Sequence, residues 1–113
     1  MMSLEEVRSK IHEEFSVAAR SRSAGNEGRV RVCARRAAGA AITYWLQEQE
    51  GEGQGVDAMT QLRAIQRDLS IPEGVREAAT RLTTRITGQF EAPYPSDPLE
   101  DARVIIDYVL PPH

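Results

Sequence analysis

The sequence predicts an all-α fold, an up-and-down bundle of about five helices in a single domain spanning residues 1–113. Three observations carry this prediction. Apolar residues recur at steps of three and four along most of the chain, which lines one face of a helix. No stretch of useful length alternates apolar and polar residues as a half-buried strand does. Helix-starting and helix-breaking residues separate the periodic stretches.

The first helix begins near Ser3, because Ser3-Leu4-Glu5-Glu6 has the form of a capping box. Leu4, Val7, Ile11, Phe15 and Ala18 form its inner face. Ser21–Gly28 reads as a loop, with the helix able to run on through Arg22. The second helix starts at Asn26 or Gly28 and ends near Gln49, with Val30, Cys33, Ala34, Ala37, Ala41, Tyr44 and Trp45 as its inner stripe. Five alanines and Gly39 lie within Ala34–Ala41. Small side chains let helices approach closely, which places this helix at the centre of the bundle. Gly39 costs about 1 kcal/mol relative to alanine inside a helix, so close packing against another backbone is the expected compensation.

Gly51-Glu-Gly-Gln-Gly55 breaks the pattern and reads as a linker. Val56, Met59, Leu62, Ile65 and Leu69 give a third helix its stripe. Ser70-Ile71-Pro72-Glu73 ends that helix and starts a fourth, with Pro72 in the first turn. Val75, Ala79, Leu82 and Ile86 form the fourth helix's seam, Gly88 ends it, and Glu77 is spaced to pair with Arg81. Ala92-Pro93-Tyr94-Pro95 is expected to be extended. Asp97-Pro98-Leu99-Glu100 starts the last helix with Asp97 as N-cap, and Leu99, Ala102, Ile106 and Val109 face inward until Pro111-Pro112.

With 113 residues, 41% hydrophobic and 27% charged, the chain suits one hydrophobic core. No apolar run approaches the roughly 20 residues of a membrane span, and the first residues lack the basic-then-apolar pattern of a signal peptide. The expected location is the cytoplasm, without membrane contact. One cysteine and two histidines supply neither an internal disulfide nor a zinc set, so no metal and no cofactor are expected. Cys33, on the inner stripe, reads as a small apolar group rather than a nucleophile. Gly51–Gly55 lacks the Lys-Ser/Thr of a phosphate-binding loop.

The net charge of −3 is unevenly spread. Arg20, Arg22, Arg29, Arg31, Arg35 and Arg36 face only Glu27 within residues 20–36, so that stretch carries +5 and the remainder −8. Arg31 and Arg35 share one flank of the second helix, and Arg29 and Arg36 share the other. Guanidinium groups so placed can bind phosphate, or can pair with glutamates of neighbouring helices. Arg81 and Arg85 could extend a phosphate-binding patch. Tyr44 and Trp45 read either as packing at the bundle end or as an interface.

The run Arg29-Val-Arg-Val-Cys-Ala-Arg-Arg-Ala-Ala-Gly-Ala-Ala-Ile-Thr-Tyr-Trp-Leu46 resembles the second helix of HEPN domains (higher eukaryotes and prokaryotes nucleotide-binding). The order that follows is similar too: a Gly-containing loop, a short amphipathic helix at Ala58–Leu69, a proline-led helix at Ile71-Pro72-Glu73, and a Tyr-Pro segment before Leu99–Leu110. The resemblance implies an up-and-down bundle that forms a homodimer, binds a nucleotide or RNA, and acts beside a separately encoded minimal nucleotidyltransferase, as in toxin–antitoxin pairs. Family ribonucleases use an Arg and a His four to six residues apart, late in the domain. Here Arg8 and His12 lie in the first helix, while nine residues and Pro111-Pro112 separate Arg103 from His113. The expectation is a non-catalytic module that binds a nucleotide, nucleic acid or partner protein through Arg29, Arg31, Arg35 and Arg36. One alternative is a ribonuclease toxin with an atypical site at Arg8 and His12. Another is an assembly protein without a ligand.

Overall fold

A computed structural model describes residues 2–50, 57–84 and 97–112, and the described residues form five α-helices and no strand. They are α1 (Leu4–Ser23), α2 (Glu27–Glu50), α3 (Ala58–Arg67), α4 (Glu73–Thr83) and α5 (Pro98–Val109). The Gly51–Gly55 linker, Val56, Arg85, Ile86, Gly88, the Pro93-Tyr94-Pro95 element and His113 lie outside the described residues.

Local chemistry sets most helix ends. At the start of α1 the Ser3 hydroxyl accepts from Glu6 N at 3.1 Å, and Glu6 Oε1 accepts from Ser3 N at 3.0 Å, so the predicted capping box is complete. The helix runs through Arg22 to Ser23. It closes with Asn26 N donating to Ser21 O and Gly25 N to Arg22 O, at 2.8 and 3.0 Å. That closure needs a left-handed residue, and Gly25 supplies it at φ 77°. Asn26 then caps α2, its Oδ1 accepting from Arg29 N at 3.1 Å. Asp57 caps α3 and Asp97 caps α5, accepting from Thr60 N at 2.8 Å and Leu99 N at 3.0 Å.

α2 packs along α1, α5 and α3 and also touches α4, so it is the central helix that its small residues predict. Ala34, Ala37, Ala38 and Ala41 are fully buried. A β-carbon on Gly39 would lie 2.8 Å from Ala58 Cβ and 3.2 Å from Ala58 Cα, so the glycine admits the first turn of α3 against α2. Around this spine sit the bulky core residues Ile42, Leu62, Leu82, Ile105, Val7 and Val30.

Polar contacts fix the direction of α5. Arg22, in the last turn of α1, grips both oxygens of Asp97 at 3.0 Å and also pairs with Glu27 at 3.2 Å. The Arg22 guanidinium holds the Asp97 carboxyl below its usual range. At the other end Arg8, near the start of α1, donates to the Pro111 carbonyl. α5 is therefore antiparallel to α1, with both ends tied.

Four expectations need correction. α3 stops at Arg67, and Leu69 is 82% exposed. The Asp68 carboxylate accepts from Ser70 N and Oγ, at 3.0 and 2.6 Å, and this turn swings Leu69 off the helical face. Pro72 is the N-cap of α4 rather than part of its first turn. α4 ends at Thr83, short of Ile86, because Thr84 is extended at ψ 129°. Arg81 leaves Glu77 exposed and pairs instead with Asp101, Nε to Oδ1 at 2.9 Å. Asp101 is only 3% exposed, and a buried carboxylate needs a cation more than a solvated one does.

The Gly39 packing gives a test by chemical denaturation. Gly39→Ala should destabilise the fold by about 1–3 kcal/mol despite its better helix propensity. Gly74→Ala, whose added β-carbon meets nothing within 4 Å, should stabilise it by about 0.4–1 kcal/mol.

Candidate functional site

The arginines of α2 divide as the helical wheel predicts, and each flank meets a different neighbour. Arg31 Nη2 donates to the carbonyls of Arg81 and of Thr84, the latter at 2.8 Å. Arg35 Nε donates to Leu82 O at 2.6 Å. These carbonyls belong to the C-terminal end of α4, where backbone acceptors lack helical partners and the helix dipole is negative. Two half-buried guanidinium groups thus cap α4 from outside. Burial pulls the pKa of both below the ordinary arginine value, and for Arg31 the neighbouring Arg35 charge adds to that.

On the other flank Arg36 Nε lies 3.2 Å from Glu14 Oε2, and Lys10 Nζ lies 3.7 Å from the same oxygen. Glu14 is 6% exposed. Cys33 is buried beside it, and burial, then the Glu14 charge, pushes the thiol pKa up. A raised pKa disfavours the thiolate, the nucleophilic form. Arg29 is exposed at the start of α2. The predicted binding residues therefore do not converge: Arg31 and Arg35 serve α4, Arg36 serves α1, and Arg29 stands on the surface.

Tyr44 and Trp45 lie half-buried near the end of α2. Tyr44 Oη faces Glu48 at 3.4 Å. The Trp45 ring meets Tyr108 of α5 edge-on, with centroids 6.1 Å apart and planes at 65°. Tyr108 and the neighbouring Val104 are about 40% exposed, so this end of the bundle presents an aromatic and aliphatic surface.

A different set of residues does converge. An open groove of about 600 Å³ runs between α1 and α5. Arg8, Ile11, His12 and Phe15 line it from α1, and Arg103, Ile106, Asp107 and Leu110 from α5, with Pro111 and Pro112 at one end. Arg8 and His12 are one turn apart on α1. The Arg103 guanidinium sits over the Phe15 ring, 4.5 Å from its centroid. Although Arg103 and Asp107 are spaced for an i,i+4 pair, no ion pair joins them among the described residues.

Sequence reasoning raised Arg8 and His12 as a pair and Arg103 apart from them, placed Phe15 in the core and passed over Asp107. Their meeting depends on the antiparallel register of α1 and α5. The one available signal was the 103/107 spacing on the outer face of α5. Among the described residues no three His, Cys, Asp or Glu side chains are grouped as a metal site requires. No described helix is long and apolar enough to cross a membrane. No family model, no curated protein and no solved structure matches this chain.

The assignment of the α2 arginines is checked by urea unfolding. Arg35→Met should cost about 1.5–3 kcal/mol, because it removes a charged hydrogen bond and strands a helix-terminal carbonyl. Arg29→Met should stay within about 0.5 kcal/mol.

Proposed function

We propose that this protein is a non-catalytic, HEPN-like binding module for a phosphate-bearing ligand, a nucleotide or nucleic acid, and that the α1–α5 groove is its site. One observation carries this reading: two guanidinium groups and an imidazole line a single open groove with apolar walls. Arginine presents a planar fork that matches phosphate oxygens, and it keeps its charge at all working pH values. Arg103 is ordered over Phe15, which lowers the entropy lost when it binds an anion. Phe15, Pro111 and Pro112 offer surface to an apolar or aromatic part of the ligand, over a floor of Ile11, Ile106 and Leu110.

The resemblance to HEPN domains supports the same ligand class from an independent direction. It also supports a homodimer, for which the Tyr44, Trp45, Val104 and Tyr108 end is the surface of suitable chemistry, and a nucleotidyltransferase partner. A second reading has one observation in its favour: Arg8 and His12 share the groove with Asp107, which puts an acid–base residue where a phosphodiester would lie.

Calorimetric titration with a short oligouridylate at two salt concentrations tests the site. Arg103→Ala should weaken binding about tenfold or more and reduce the salt slope by about one phosphate contact, while Arg29→Ala leaves both unchanged. Binding that ignores Arg103→Ala rules out the groove. RNA cleavage that vanishes in His12→Ala establishes the second reading instead.

A further inference from the structure

The groove has an internal order that narrows its occupant. Because α5 is antiparallel to α1, Arg8 and Pro111 share one end, held together by their hydrogen bond. Phe15 and Arg103 share the other end. The seven residue steps from Arg8 to Phe15 span two turns, or about 10 Å of helix. Between the ends lie Ile11, His12, Ile106 and Asp107. Along its length the groove thus reads cation, then an apolar stretch with an imidazole and a carboxylate, then cation.

A guanidinium grips phosphate by direct hydrogen bonds about 2.8 Å long, so one phosphate group does not reach both ends. A nucleoside monophosphate satisfies one end and leaves the other unused. A polyphosphate spans the distance but sets negative charge beside Asp107, which accepts hydrogen bonds and donates none when ionised. A sugar–phosphate chain alternates as the groove does: phosphate, uncharged nucleoside with hydroxyl and amino donors, phosphate. A duplex keeps its bases stacked and paired inside, whereas single strands splay bases onto apolar and aromatic surfaces.

We infer that the groove holds a single-stranded nucleic-acid segment, with Arg8 and Arg103 on two successive phosphates and the intervening nucleoside beside His12, where Asp107 accepts one of its donors. This rests on the phosphate-binding reading above and adds the requirement for a phosphate on each side of one nucleoside.

Three probes on the unaltered protein test it: uridine 5′-monophosphate, uridine 3′,5′-bisphosphate and inorganic tripolyphosphate. The bisphosphate should bind at least about tenfold more tightly than either of the others. Arg8→Ala and Arg103→Ala, each confirmed folded by its thermal melt, should each bring the bisphosphate down to the level of the monophosphate. Asp107→Asn should raise affinity for tripolyphosphate. Mono- and bisphosphate binding within twofold of each other, or tripolyphosphate binding most tightly, overturns the two-phosphate inference and leaves the phosphate site standing. Absence of binding by all three probes and by oligouridylate overturns both.

Discussion

The fold depends on how closely other helices approach α2. Ala34, Ala37, Ala38 and Ala41 present almost no side chain beyond a methyl group, and Gly39 presents none. The first turn of α3 comes down onto that glycine. On the same helix, larger side chains take over toward the end, where Ile42 is buried and Trp45 reaches Tyr108. A spine of this kind has little apolar area of its own. Its contribution is proximity, since it lets Val7, Leu62, Leu82 and Ile105 from four other helices meet around it. The same closeness leaves little room for solvent among the polar groups at the seams, and most find protein partners, although Arg31 Nε is buried without one.

That constraint explains where the positive charge of α2 goes. An exposed arginine has water as an alternative partner, and its ion pairs contribute little. Arg31 and Arg35 are held against α4 by packing, and the acceptors within reach are the unsatisfied carbonyls at its C-terminal end. Glu14 is similarly enclosed and draws Arg36 and Lys10. The charged residues that look most like a ligand grip in the sequence thus belong largely to the architecture. The groove proposed as the ligand site lies where two helices do not close upon each other, between α1 and α5. There Arg103 rests on an aromatic ring while Asp107, one turn along, forms no ion pair with it.

The parts legible in the sequence are those decided within a few residues. The capping box at Ser3, the Asp97 cap, the small-residue stripe of α2 and the two flanks of its arginines all follow from spacing along one helix. The errors come where a distant partner, or a local turn that the apolar period hides, decides the outcome. Glu77 is the right distance from Arg81, but Asp101 lies deeper and takes it. Leu69 continues an apolar period, but the Asp68–Ser70 turn ends the helix first. The fourth helix stops at Thr83, and no residue between Leu82 and Ile86 marks that position in the sequence. The groove was illegible for a related reason. Arg8 and Arg103 are 95 positions apart, and the contacts that anchor α5, among them those of Arg22, Arg8 and Arg81, set the register that brings them to one cleft.

The central claim is that the small-residue spine of α2 holds the bundle together, and native-state hydrogen exchange tests it most directly. Amides buried between helices exchange only when the unit containing them opens. If α2 organises the fold, the amides of Val30–Ile42 exchange only through global unfolding, with protection equal to the full stability and greater than that of α1, α3 and α5. Exchange from the middle of α2 through a smaller, local opening, while α1 and α5 stay protected, would contradict it.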